Sequence, residues 1–181
     1  AVTVFGIFGV SMTSEANRAY VMEKIDTMTG DDSKTKVNNN DMLTSATTEE
    51  EARLEIAEAL NVKIPRFFYW PDNIEYQEYS IDEAAQTAFI LYKKDDQIIH
   101  LMIMSNEKSK SLLATSDLGK EIKKLESEWV EGINTTLWEV FDEGDEKPTY
   151  ILQWEYKNVY YELSGKLLET EMENIAVNIM Y

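Results

Sequence analysis

The chain has 181 residues, 44% of them hydrophobic, which is enough for one domain with a sizeable core but not for two full domains. Its 34 acidic and 17 basic residues give a formal net charge of -17, so nucleic acid and anionic lipid surfaces would on average repel it. The lack of cysteine excludes disulfides, thiolate catalysis, zinc–thiolate sites and iron–sulfur clusters in this chain, and a single histidine excludes an intramolecular multi-histidine metal site.

The sequence begins with an uncharged stretch, residues 1–10, that contains Gly6 and Gly9. As a helix it would rise only about 15 Å, half of a bilayer core, so it cannot span a membrane by itself. Glycine and the polar residues that follow are typical of the outer end of a longer transmembrane helix. We therefore expect residues 1–12 to be a membrane-anchor stub, with a buried strand as the alternative.

Residues 13–47 are predicted to form a helix followed by a polar linker. Val21, Ile25 and Met28 fall at i, i+4 and i+7, which is one apolar stripe of a helix. Residues 31–47 carry too few large apolar side chains to fold independently.

The remaining residues, 48–181, are predicted to form a single domain that begins with a helix from about residue 48 to 61. The sequence Thr47-Thr48-Glu49-Glu50 fits a capping box. Apolar residues then recur every four positions, at Ala52, Ile56 and Leu60.

Beyond Phe67 the apolar pattern changes to period two, which is typical of β-strands. Residues 87–92 and 97–104 are joined by a short polar link and predict a hairpin, and an earlier strand is expected between Pro71 and Ala84. The next segment is ambiguous, because helical spacing competes with a strand that we favour after Lys123. The residues at helical spacing are Leu118, Ile122, Leu125 and Trp129.

Three further alternating segments follow Gly132, around residues 136–140, 150–154 and 159–163. Their connections are too short for the crossovers that parallel strands require, so the strands should be antiparallel neighbours. A last amphipathic helix should run to the C-terminus, with a stripe formed by Leu168, Met172, Ile175, Ala176 and Ile179. The predicted fold class is α+β, an antiparallel β-sheet meander with helices packed on one face.

The end of the chain resembles a known family. The likeness rests on Trp154, on the sequence Asn158-Val159-Tyr160-Tyr161-Glu162-Leu163-Ser164-Gly165, and on the Ile175-Ala176 pair in the last helix. This combination resembles the domain of unknown function 4367 family, over roughly Glu49 to Tyr181, and residues 9–16 look like the step out of the membrane upstream of related domains. Its members are often the extracytoplasmic C-terminal portions of single-pass membrane proteins in Gram-positive bacteria, some with anti-sigma-like or lipoprotein-sorting-like architectures. The resemblance implies an outward-facing domain on an anchor, and it transfers no catalytic residue.

No catalytic motif is present in the sequence. There is no Gly-x-Ser-x-Gly elbow, Walker-type glycine loop, dinucleotide fingerprint or His-Glu-x-x-His helix. The single histidine, His100, shares a predicted strand face with Ile98, Met102 and Met104, which favours a structural role. We expect no catalytic, cofactor-binding or metal-binding residues.

Aromatic and methionine side chains are the candidates for a ligand or partner surface. The densest aromatic cluster is Phe67-Phe68-Tyr69-Trp70, which could stack on a sugar ring or hold a peptide, or else pack against the helix of residues 48–61. Met102 and Met104, with Leu101 and Ile103, suit the wall of an adaptable apolar cavity. The candidate residues are Phe67, Tyr69, Trp70, Tyr76, Met102 and Met104.

These observations favour a non-enzymatic, extracytoplasmic sensor or interaction module, held at the cell membrane by an N-terminal anchor and binding an envelope protein or another envelope ligand. The first alternative is a carrier that holds a lipid or other apolar ligand under the sheet, which would need a cavity on the order of several hundred Å³. The second alternative is a carboxylate-based hydrolase, which would need a carboxyl group with a raised pKa in an apolar cleft.

Overall fold

The computed structural model describes residues 48–105, 119–141 and 146–181. The predicted anchor stub (1–12) and the predicted helix and linker (13–47) lie outside the described residues. Within these ranges the chain forms two helices and nine strands. In chain order they are α1 (Glu49–Leu60), β1 (Arg66–Phe67), β2 (Ile74–Asp82), β3 (Thr87–Lys94), β4 (Gln97–Met104), β5 (Lys120–Glu126), β6 (Asn134–Val140), β7 (Thr149–Tyr156), β8 (Val159–Gly165), α2 (Glu169–Val177) and β9 (Ile179–Met180).

Seven strands form one sheet in the order β2-β3-β4-β8-β7-β6-β5, with antiparallel pairing throughout. The predicted antiparallel sheet and the hairpin of β3 and β4 are therefore confirmed. The sheet is not one continuous meander, because β4 pairs with β8 and joins two meanders, β2–β4 and β5–β8. Strands β4 and β8 are buried along nearly all their length and so lie at the centre, whereas the mostly exposed β5 takes an edge.

Thr48 is the N-cap residue of helix α1. Its hydroxyl accepts a hydrogen bond from the Glu51 N–H, and the Glu51 carboxylate accepts one from the Thr48 N–H. The predicted helix is confirmed, with the capping box one residue later than the predicted 47–50. Arg53 ties this helix to the sheet, since its guanidinium donates to the Tyr92 hydroxyl of β3 at 3.0 Å and to the Pro65 carbonyl at 2.5 Å.

A single hydrophobic core joins the strands to both helices. Five directly opposed residues form a row across five strands, and each is fully buried: Ile90, Leu101, Leu163, Leu152 and Leu137. The same cluster contains Ile56 and Leu60 of α1 and Met172, Ile175 and Ala176 of α2. We call the side of the sheet that carries this row the core face.

The C-terminal helix is shorter than its apolar stripe predicts. It ends at Val177, because Ile179 and Met180 form β9, which pairs with Phe67 and Arg66 of β1. Leu168 is not part of the buried stripe, since it is the N-cap residue and 66% exposed. The pattern alone could not show this end, because Ile179 is buried in the strand just as it would be in a helix.

Gly165, the last residue of β8, lies so close to β4 that a Cβ atom would stand 2.8 Å from Ile99 Cγ1. We expect Gly165→Ala to lower the free energy of unfolding by about 1–3 kcal/mol through overpacking, measured by urea denaturation. Ile99→Ala removes the opposing atom, so the double variant should lose less stability than the sum of the two single variants. Additive losses, or a Gly165→Ala variant as stable as the parent, would contradict this packing.

Candidate functional site

The aromatic segment Phe67–Trp70 divides between the core and the surface. The Phe67 ring stacks on Trp70, with centroids 4.8 Å apart, and meets Trp154 of β7 edge-on at 6.4 Å. Trp70 in turn meets Tyr92 of β3 edge-on at 5.2 Å, and Tyr69 packs half-buried against the core. These rings hold the short strand β1 against the core face of the sheet.

The same network continues across the sheet. Tyr76 meets Tyr92 at one end, while at the other Trp154 stacks on Tyr161 and donates a hydrogen bond from Nε1 to the Tyr181 hydroxyl at 2.9 Å. Burial raises the pKa of Tyr92, Tyr161 and Tyr181 far above the ordinary tyrosine value of 10.0, so these hydroxyls stay protonated. The Tyr92 hydroxyl donates to Glu49, and the Tyr161 hydroxyl donates to the Lys63 carbonyl. Four of the six predicted site residues, Phe67, Tyr69, Trp70 and Tyr76, therefore contribute to the packing of the core, and their use as a ligand surface stays a prediction.

The other member of the aromatic segment, Phe68, faces solvent. It is 66% exposed and touches Trp129, which is 51% exposed, with centroids 4.5 Å apart and planes tilted by 31°. We call these two residues the aromatic pair. Neither residue is among the six candidates. The sequence places Phe68 in the aromatic cluster without setting it apart from its neighbours, and Trp129 fits the helical spacing of the ambiguous segment.

One residue, Asn178, positions both rings. Its backbone carbonyl accepts a hydrogen bond from the Phe68 N–H at 2.9 Å, and its Oδ1 accepts one from Trp129 Nε1 at 3.0 Å. Its own Nδ2 donates to the Asn174 carbonyl at 2.9 Å, which fixes the amide orientation against the last turn of α2. Asn178 is the C-cap residue of α2, so a residue distant in sequence from both rings fixes their positions.

The loop that carries Trp129 is anchored by a buried serine. Ser127 Oγ donates to the Ile179 carbonyl at 2.7 Å and accepts from the N–H groups of Trp129 and Val130 at 3.1 and 3.3 Å. The Glu128 N–H donates to the Val177 carbonyl at 2.8 Å. The indole bonds directly to Asn178, and the backbone of Trp129 is held through Ser127 and Glu128, which bond to Ile179 and Val177. The ring therefore has little freedom to leave its partner.

The two methionines of the predicted apolar wall lie on the side of the sheet opposite the core face. Met102 and Met104 are buried there, whereas Leu101 and Ile103 belong to the core row and its neighbours. Successive residues of a strand point to opposite faces, so these four side chains cannot line one cavity. The predicted composition of that wall is wrong, while the role of the two methionines as ligand contacts stays a prediction.

A buried carboxylate, Glu162, is the polar centre of that opposite side. It accepts hydrogen bonds from Gln153 Nε2 and the Tyr160 hydroxyl, both at 3.0 Å, and its Oε1 lies 3.9 Å from His100 Nε2. Burial and the neighbouring carboxylate raise the pKa of Tyr160 well above its usual value, which keeps that hydroxyl a donor. His100 is buried beside Met102, and its predicted structural role is supported by this internally bonded cluster.

The described part of the chain holds neither a metal-binding cluster nor a membrane-spanning helix. In the ranges 48–105, 119–141 and 146–181, no group of three or more His, Asp or Glu side chains is arranged to hold a metal ion. No helix of that part of the chain combines the length and the apolarity needed to cross a bilayer.

Fold and site together define a β-rich antiparallel domain with a preformed aromatic surface. The family model "Domain of unknown function (DUF4367)" matches residues 64–179, which is more than half of the chain. The chain therefore belongs to this family, and the resemblance seen at its C-terminal residues is confirmed. The match includes Phe68, Trp129 and Asn178. Neither curated proteins nor solved structures gave a match to this chain.

Asn178→Ala should release the indole of Trp129, because it removes the Oδ1 acceptor. We expect an upfield shift and faster solvent exchange of the Trp129 Nε1–H resonance, with stability lowered by only about 1 kcal/mol for the lost hydrogen bonds. Asn178→Asp is the matched control, since it keeps an acceptor for the indole while losing the donor to Asn174. Unchanged indole exchange in Asn178→Ala would show that Asn178 does not position the ring.

Proposed function

We propose that this domain is a non-enzymatic interaction module that binds an envelope protein through the aromatic pair and is held outside the cell by a single-pass membrane anchor. The observation that carries the proposal is the pair itself. Two large rings from distant parts of the sequence are held in contact, yet more than half of each is left in water.

The physical argument is preorganisation. Aromatic side chains supply much of the binding energy at protein interfaces, and a partner gains more from rings that are already fixed, because little conformational entropy is then lost on binding. Single exposed apolar residues are common, but two exposed rings fixed by one asparagine form a defined surface rather than scattered exposure.

The arrangement of polar groups favours binding over catalysis. The Glu162 carboxylate is bonded to Gln153 and Tyr160, and the Arg53 guanidinium is bonded to Glu49, Tyr92 and Pro65, so both groups act within the fold. A hydrolase would instead need a carboxyl group directed at a substrate. The separation of Met102 and Met104 from Leu101 and Ile103 likewise weighs against the carrier alternative.

The α+β arrangement explains how the surface is presented. Buried residues of both helices join the core face of the sheet, and we infer that both helices lie on that face. The C-terminal end of α2 then brings Asn178 to the domain's edge, where the segment after β1 supplies Phe68 and the β5–β6 loop supplies Trp129.

The extracytoplasmic location can be tested with a thiol probe. The chain has no cysteine, so Ala84→Cys, at an exposed position of the β2–β3 turn, introduces its only thiol. In cells producing the full-length protein, with any cysteine outside this chain changed to serine, a membrane-impermeant maleimide should label this residue without permeabilisation. A cytoplasmic protein with an exposed thiol serves as the control. Labelling of Ala84→Cys only after permeabilisation would refute the proposed location.

Binding through the aromatic pair can be tested by photo-crosslinking in the same cells. Benzoylphenylalanine placed at Phe68 should give a discrete protein adduct, and the adduct should be lost in Trp129→Ala. The matched control is the same probe at Leu54 of α1, which is 56% exposed and belongs to a different element from either ring of the pair. No protein adduct from position 68, or the same adducts from positions 68 and 54, would contradict the proposal.

A further inference from the structure

We propose that the aromatic pair receives a basic side chain, arginine or lysine, from a polypeptide partner. This inference rests on the proposed function and names the chemistry of the segment that the pair binds. It follows from the charges that surround the two rings.

The loop that holds Trp129 is strongly acidic. Glu126, Glu128 and Glu131 are all exposed and lie within three residues of the tryptophan, and residues 126–131 include no basic side chain. None of these three carboxylates forms an ion pair with a residue in the part of the chain that the structure describes. Within the described residues they leave uncompensated negative charge close to Trp129 along the chain.

Three basic residues near the pair along the sequence form ion pairs with carboxylates outside the loop. Arg66, two residues before Phe68, bonds to Glu50 at 2.5 Å. Lys123 bonds to Glu173 of α2 at 2.9 Å, and Lys124 lies 3.9 Å from Glu121. These cations are shared with other carboxylates, and a cation from a partner would complement the loop.

The rings themselves suit a cation. An indole face attracts a guanidinium or ammonium group more strongly than other aromatic faces do, and a planar guanidinium also stacks on it. Carboxylates beside the ring add attraction at short range and steer a basic segment during encounter. A neutral sugar would gain from the rings alone, and an anionic polymer would be repelled by the net charge of -17.

The test uses defined peptides and the purified 181-residue chain. N-acetylated deca-arginine amide should bind saturably and shift the Trp129 Nε1–H resonance, whereas deca-glutamate and a Gly-Ser decamer should not. Phe68→Ala or Trp129→Ala should weaken deca-arginine binding by about tenfold, the usual loss for truncating an aromatic anchor.

A matched pair of double variants separates local charge from the overall acidity of the protein. E128Q/E131Q removes two carboxylates beside the ring and should weaken deca-arginine binding by about tenfold. E58Q/E83Q removes two exposed carboxylates elsewhere, with the same change in net charge, and should alter binding by less than about twofold. Equal losses in the two double variants would overturn the proposal, because the binding would then be diffuse.

Failure of this inference differs from failure of the proposed function. A Trp129-dependent adduct from position 68, together with equal effects of the two double variants, would leave the interaction module standing and refute only the basic side chain. Saturable binding of a tetramer of N-acetylglucosamine with a Trp129 shift, in the absence of such a shift with deca-arginine, would also refute it and assign the pair to a sugar. Absence of the adduct itself would refute the proposed function.

Discussion

The pairing of β4 with β8 is the constraint on which the rest of the domain depends. It joins two meanders that are each built from local hairpins, and it aligns Leu101 with Leu163 in the middle of a buried row that crosses five strands. Because β4 and β8 are buried on both sides, neither would be stable at an edge of the sheet. Central pairing removes both from solvent and leaves the polar strand β5 at one edge.

The aromatic pair is a consequence of that long-range closure. Once β8 lies beside β4, α2 follows it back over the core, and the chain ends by pairing β9 with β1. This brings Phe68, Trp129 and Asn178, which lie tens of residues apart in the sequence, within hydrogen-bonding or ring-contact distance. The site therefore exists only in the completed fold, and no hairpin or helix of the domain could form it alone.

Local signals in the sequence predicted most elements but not their arrangement. Period-two alternation identified β3, β4, β6, β7 and β8, and four-residue spacing identified α1, because both patterns depend only on neighbouring residues. Alternation did not identify the two-residue strands β1 and β9, and in β5 it competed with helical spacing. Alternation does not say which strand lies beside which, so the β4–β8 pairing was not predictable from it. Helical spacing could not show where α2 ends, because Ile179 is buried in β9 just as it would be in a further turn of the helix. Phe68 lies just beyond β1, so the alternation of a strand gave no signal for its exposure.

Aromatic contacts serve two purposes in this domain, and exposure separates them. The rings that join Tyr76 to Tyr181 across the core are fully or partly buried, so their covered area contributes to folding and any substitution there would act first on stability. Phe68 and Trp129 make a similar ring contact but keep more than half of their surface hydrated, so most of their apolar area contributes nothing to the folded state. In the proposed function, that area becomes favourable when a partner covers it. Binding would then depend on Phe68, and stability on its neighbours in the same aromatic segment.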